Sequence, residues 1–164
     1  GATVAEALHP DIRLKWPNDL WVGGRKLAGI LIETAATPGS GDGRYAIVGI
    51  GINLARLEGD GFSTPPIGLR QLVPEVDAGD ALLRVAPPLV GTLQAFEQLG
   101  FGPFRARFMA RDALADRDVV LSDGTTGTAH GVDERGALLV HTAAGMKAVA
   151  SAEVSVRPAG SPLP

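Results

Sequence analysis

Lys26 sits in the segment LKWPNDLWVGGRKLAGILIE, residues 14–33, downstream of Asn18 and Asp19. An ammonium group in apolar company can neutralise a bound anion, and an amide and a carboxylate nearby can hydrogen-bond a nucleotide or hold a hard cation. The chain has three lysines against twelve arginines, and two of the three, Lys15 and Lys26, fall in this stretch. A lysine kept against that bias suits a task needing a compact ammonium rather than a planar guanidinium. The competing reading is coincidence of small numbers, with Asn18 and Asp19 serving as turn residues behind Pro17. On a strand, Lys26 shares a face with Ala28, Ile30 and Ile32, and a lysine on that apolar face requires a carboxylate or an anionic substrate as partner.

The second group is YAIVGIGINL, residues 45–54. Alternation puts Gly49, Gly51 and Asn53 on one face and Ala46, Val48, Ile50, Ile52 and Leu54 on the other. Two glycines on one face leave a slot in which a flat ligand can lie against backbone, with the Asn53 amide at its end. Close packing of a helix, or a bulge, explains the same glycines equally well. The segment is not a dinucleotide fingerprint, because the third glycine is missing and no helix follows directly.

These residues need elements to hold them. Residues 12–16 and 20–22 read as short strands, Gly23-Gly24 as a hairpin turn, and Arg25–Glu33 as a strand buried on both faces. Residues 37–44 are a loop by composition, Tyr45–Leu54 is a strand, and residues 55–78 form a long segment with little periodicity. Ala81–Leu99 carries Leu89, Leu93, Phe96 and Leu99 at helical spacing; Pro87-Pro88 predicts an interruption and Gly100 the end. Phe104, Phe108 and Met109 mark a shorter helix reaching about Leu114, its aromatics assigned to packing. From Arg117 onward, short β-rich runs alternate with turn clusters at Asp123-Gly124, Asp133–Gly136 and Ala144-Gly145, the pattern of a small barrel or sandwich. The last four residues look frayed.

Composition narrows the classes. A chain of 164 residues with 45% hydrophobic and 20% charged residues suits one medium domain, or one with a small appendage. Net charge −3 and pI near 5.6 argue against a nucleic-acid binder. No apolar run approaches the roughly 18 residues of a membrane span, and no signal-peptide pattern is present. The absence of cysteine excludes disulfides and thiolate metal sites and fits a cytoplasmic protein. His9, His130 and His141 are too scattered for a histidine metal cluster. The start at Gly1, inside what reads as the end of a helix, suggests a piece of a longer protein.

KWPNDLWVGGRKLAGILIE followed by GIGIN resembles the biotin protein ligases. The likeness continues through AFEQLGFGPFRARF, similar to the family's late helices, and VVLSDGTTGTAHGVDERGALLV, similar to its C-terminal SH3-like domain. The resemblance implies an α+β fold: a mixed sheet with helices of the class II aminoacyl-tRNA synthetase/biotin ligase type, incomplete, over residues 1–115, then a small SH3-like β-barrel over 116–160. It implies ATP-dependent attachment of biotin to a lysine of a biotin carboxyl carrier protein domain through biotinyl-5′-adenylate. Lys26 matches the catalytic lysine, contacting the biotin carboxyl and the adenylate phosphate. Gly29 and Gly51 match glycines lining the biotin pocket. Asn18 and Asp19 match positions on the nucleotide and Mg²⁺ side, with Asp19 a magnesium ligand, and Asn53 matches the asparagine that reads adenine. Lys15 and Trp16 are expected to be structural, Trp16 packing under the turn. Phe62, Pro65, Pro66 and Ile67 are expected to cover the adenine.

The family's upstream glycine- and arginine-rich loop has no counterpart here, so a fragment with an unpaired sheet edge is expected, its activity alone in doubt and a homodimer conceivable. The alternatives are a non-catalytic biotin- or nucleotide-binding remnant, a lipoate- or octanoate-type acyl-protein ligase, and an interaction module acting through the small barrel.

Overall fold

A computed structural model describes residues 1–36, 39, 43–55, 59, 62, 64–150 and 156–160. The frayed end and most of the loop expected over 37–44 lie outside them. The first unit opens with helix α1 (Ala2–Leu8), followed by strands β1 (Arg13–Lys15), β2 (Asp19–Val22), β3 (Arg25–Ala36) and β4 (Arg44–Ile52). These pair in sequence order as an antiparallel sheet. Among the described residues, parallel pairing occurs only as isolated bridges, Leu14 with Asp112 and Lys26 with Pro66. The Gly23-Gly24 turn has φ of 56° and 77°, the left-handed values that a two-residue hairpin of this type requires.

Helix α2 (Ala78–Leu99) packs on α1, and its Ala81, Val85 and Leu89 share one core with the sheet. Asp77 caps it: its carboxylate accepts from the Asp80 amide at 2.8 Å, and Asp80 accepts in return from the Asp77 amide at 3.3 Å. The expected interruption at Pro87-Pro88 is absent. Both prolines lie on the exposed side of the helix, as do Leu83 and Arg84, whose carbonyls lose their helical donors, while Ala81, Val85 and Leu89 hold both halves against one core. Gly100 ends the helix at φ 67°. Of the apolar stripe, Leu89 packs against the core, whereas Leu93, Phe96 and Leu99 are exposed.

The next helix, α3 (Arg105–Met109), stops well short of Leu114. Its chain is taken up by β1: the Leu14 amide donates to the Arg111 carbonyl at 2.7 Å and the Ala113 amide to the Leu14 carbonyl at 2.8 Å. Strand-type pairing there replaces further helical turns.

Strands β5 (Asp118–Leu121), β6 (Thr126–Val132), β7 (Leu138–Thr142), β8 (Gly145–Val149) and β9 (Val156–Pro158) form a second antiparallel sheet in the order β8-β7-β6-β5-β9. All three glycine turns expected from the sequence connect it, at Gly124, Gly136 and Gly145, each with positive φ. Its core holds Val119, Leu121, Ala129, Val132, Leu138, Val140, Val149 and Val156. Trp16 joins this core rather than packing under its own turn, and its indole N–H donates to the Gly136 carbonyl at 3.0 Å. The large ring finds more apolar surface in the second unit than the short turn offers.

Asp112 lies at the junction. Its Oδ1 accepts from the Leu114 amide at 2.8 Å, and its Oδ2 is buried without a hydrogen-bond partner among the described residues. Burial pushes the carboxyl above the usual carboxylate range, with the Leu114 bond pulling the other way and Asp116 adding to the rise. A carboxyl raised on folding contributes stability below its unfolded value of 3.8 and loses it as pH rises through the higher folded value. Asp112→Asn, whose amide stays neutral, is therefore expected to raise the denaturation midpoint at pH 7, by a margin that shrinks as pH approaches 4. Urea titrations across that pH range check it; an unchanged or lowered midpoint at pH 7 would show that the ionised carboxylate is not strained.

Candidate active site

The turn Trp16-Pro17-Asn18 hands the chain from β1 to β2, so Lys15 pairs with Asp19 across the hairpin, and Asp19 pairs in turn with Gly29 on β3. Gly29 pairs with Gly51 on β4. One row across four strands thus reads Lys15, Asp19, Gly29, Gly51. Strict alternation would put Lys26 on the other face, with Ala28, Ile30 and Ile32, but the strand does not alternate strictly. Leu20 pairs with Ala28 while Trp21 pairs with Lys26, so Leu27 is an extra residue, a bulge. The bulge turns Lys26 onto the face of Asp19 and Gly29. Its Nζ lies 2.7 Å from Asp19 Oδ1, and a Cβ built on Gly29 would stand 3.6 Å from that Nζ. Leu27, freed by the extra residue, is fully buried in the core.

The bulge is clamped from both sides. The Lys26 amide donates to the Pro65 carbonyl and the Ile67 amide to the Lys26 carbonyl, both at 2.9 Å. The Asn53 side-chain amide donates to the same Lys26 carbonyl at 3.2 Å, and the Asn53 backbone amide to Leu27 at 2.9 Å. Asn53 therefore holds the strand that carries Lys26, leaving its side-chain oxygen to meet a ligand. The Asn18 amide is similarly engaged, donating to the Ile30 carbonyl at 2.8 Å. Of the residues expected to cover the adenine, Ile67 is instead core, while Pro65 and Pro66 run beside Lys26 as a parallel bridge, with Pro65 exposed. An apolar side chain next to a backbone rung gains more from the core than from solvent. Phe62 is half-exposed, and its neighbours 60, 61 and 63 lie outside the described residues.

The electrostatics favour anions. Asp19 carries two ammonium neighbours, Lys26 at 2.7 Å and Lys15 at 4.0 Å, so the trio has a net positive charge. Lys15 and Asp19 are largely enclosed, with side chains 13% and 15% exposed, whereas Lys26 is 42% exposed and can reach outward. Burial pulls the Lys15 ammonium below the usual lysine range; Asp19 holds it up, while Lys26 and Arg157 depress it further. Both oxygens of Asp19 thus face cations, and the described residues contain no group of three or more acidic, histidine or cysteine side chains able to hold a metal. The site does not fit a magnesium ion bound by Asp19, because its carboxylate is already shared by two ammonium groups.

The strand face that carries the glycines is open. A Cβ on Gly51 would meet nothing within 4 Å, and one on Gly49 only the Leu31 carbonyl at 3.7 Å. Leu31, opposite Gly49, and Ile47, opposite Glu33, extend the same face as exposed apolar flanks, at 62% and 53%. Sequence reading missed both. The signal was present only jointly, since Leu31 acquires its place from its register against Gly49. A cavity of about 380 Å³ lies on the other face of this sheet, where Ile30, Val48 and Ile50 look toward Leu89 and Phe96. Its walls are mainly apolar; Lys15, Asn18 and Asp19 border it, and Lys26 does not.

The chain is similar to known proteins along most of its length. The model of the biotin/lipoate A/B protein ligase family matches residues 5–53, and that of the biotin protein ligase C-terminal domain matches residues 119–157. The bifunctional ligase/repressor BirA of Salmonella typhimurium is 35% identical over 168 residues, covering 97% of this chain and 52% of the relative. The biotin–(acetyl-CoA-carboxylase) ligase of Paracoccus denitrificans is 35% identical over 152 residues, covering 87% of this chain and 62% of the relative. The chain thus spans about half to three-fifths of the length of these curated relatives. Among solved structures, the biotin protein ligase of Aquifex aeolicus in complex with biotin and ATP superposes with a TM-score of 0.81 at 30% identity, covering 97% of this chain and 69% of that one. Its apo form gives a TM-score of 0.82.

Proposed function

Because the chain belongs to the biotin protein ligase family, we propose that it builds the adenylate-binding wall of an enzyme that attaches biotin to a lysine of a biotin carboxyl carrier domain. In this reading residues 1–115 are part of the catalytic domain and 116–160 the SH3-like domain, acting in the cytoplasm. The observation that carries it is the Lys26 ammonium standing beside two facing glycines, Gly29 and Gly51.

The chemistry follows from that arrangement. A biotin carboxylate oxygen attacks the α-phosphorus of ATP, the bond to pyrophosphate breaks, and biotinyl-5′-adenylate forms. The acceptor lysine's neutral amine then attacks the acyl carbon, AMP leaves, and the amine sheds its proton as the amide forms. Negative charge gathers on the non-bridging phosphate oxygens in the first step, and Lys26 meets it there. Gly29 and Gly51 let the acyl chain lie flat on the sheet, with Leu31 and Ile47 covering its apolar part. Asn18 and Asn53 have their amide nitrogens in the scaffold and offer side-chain oxygens to the nucleotide. Before a ligand arrives, Asp19 holds Lys26 beside the two glycines.

The test is pyrophosphate release by the natural full-length protein, with biotin, lipoate or octanoate as acyl donor. Release dependent on ATP and biotin is expected. Biotin binding without release would make the site a binding remnant, and release with lipoate or octanoate alone would assign a different acyl group.

A further inference from the structure

Lys15 lies outside the glycine slot, yet it shares a carboxylate with the lysine that works there. We infer that Lys15 is a positioning residue that takes over Asp19 when a bound anion draws Lys26 away; this rests on the proposed ligase reading of the site.

The need for such a residue arises from burial. In the structure Lys26 is committed to Asp19 at 2.7 Å, and to meet a ligand's carboxylate or phosphate it must loosen that contact. Asp19 is 15% exposed, so leaving it without a partner would cost much of what the new contact gains. Lys15 waits on the carboxylate's other oxygen at 4.0 Å, outside hydrogen-bond range but close enough for a small rotation to close. It is the right group for waiting. Its side chain is 13% exposed, it sits at the end of β1 in register with Asp19, and its Nζ lies 5.9 Å from the Trp21 ring centroid, a cation–π contact that fixes it. Lys26 is the mobile member of the trio and Lys15 the fixed one. Without Lys15, Asp19 would retain Lys26 against the ligand.

The inference predicts a charge-selective defect. In the natural full-length protein, Lys15→Met is expected to weaken binding of biotin, measured by calorimetry, by about tenfold, with uncharged biotin amide changed less than about twofold. Lys15→Arg should restore the charged ligand, and in an Asp19→Asn background Lys15→Met should have no further effect, because no carboxylate remains to be held. A ligand-free readout runs beside these: competitive acylation of Lys26 by acetic anhydride should slow in Lys15→Met, as the ammonium becomes the sole partner of Asp19. Equal losses for biotin and its amide, or a loss that persists with Asp19→Asn, would overturn the inference, as would unchanged acylation. Failure of the unaltered protein to bind either ligand would instead count against the ligase reading, while the acylation comparison still decides the role of Lys15.

Discussion

Lys26→Ala in the natural full-length protein is expected to slow biotinyl-adenylate formation by two to three decades, while the folded state stays intact. The magnitude is that of a preorganised donor aimed at developing charge, roughly 3–4 kcal/mol. Lys26 is the exposed member of the charged trio, and its backbone bonds to Pro65, Ile67 and Asn53 survive removal of the side chain. The loss should therefore appear in the chemical step rather than in stability. Single-turnover measurement of pyrophosphate release, beside a thermal midpoint, separates the two. Release within about threefold of the unaltered rate, far inside the decades expected of an oxyanion donor, would remove Lys26 from the mechanism.

Gly51→Val should separate folding from binding even more sharply. A Cβ at Gly51 meets nothing within 4 Å, the residue is paired near the end of β4 without positive φ, and β-branched residues suit strands. The unliganded protein is therefore expected to be as stable as before or slightly more so. The added isopropyl group fills the slot, and a ligand forced against it should lose about 1–3 kcal/mol, or roughly five- to 150-fold in biotin affinity. Gly29→Val carries an added cost, because its Cβ would stand 3.5 Å from Asp19 Oδ1 and press on the Asp19–Lys26 pair. Calorimetric titration with biotin checks both. Unchanged affinity in Gly51→Val would move the ligand off this face.

The residues of the site were legible in the sequence, and their placement only in part. Gly49 and Gly51 could be assigned to one face because β4 alternates without a fault. Lys26 could not, because the bulge at Leu27 arises from the pairing of β3 with β2, and a single strand's alternation carries no record of its partner's register. The same dependence hid Leu31. Trp16 was assigned to its own neighbourhood, whereas the ring is buried in a unit whose nearest backbone contact, Gly136, is far along the chain. Asn53 was read for its side-chain chemistry, and its hydrogen bond to Lys26 shows that the same amide also builds the scaffold. In α2 the local rule that proline breaks helices yielded where both prolines lie on the exposed side and Ala81, Val85 and Leu89 anchor the helix on both sides of them. The turns of the second sheet were read correctly because a glycine with positive φ is a local demand, met by residue type alone.

The central claim concerns which face of one sheet receives the acyl-adenylate. A crystal structure of the natural full-length protein with a non-hydrolysable biotinyl-adenylate analogue tests it most directly. The ligand should lie across Gly29 and Gly51, with its phosphate or acyl oxygen within about 3 Å of Lys26 Nζ and Asp19 drawn toward Lys15. A ligand seated instead in the apolar cavity between Ile30, Val48 and Phe96, with Lys26 still bound to Asp19, would contradict the account.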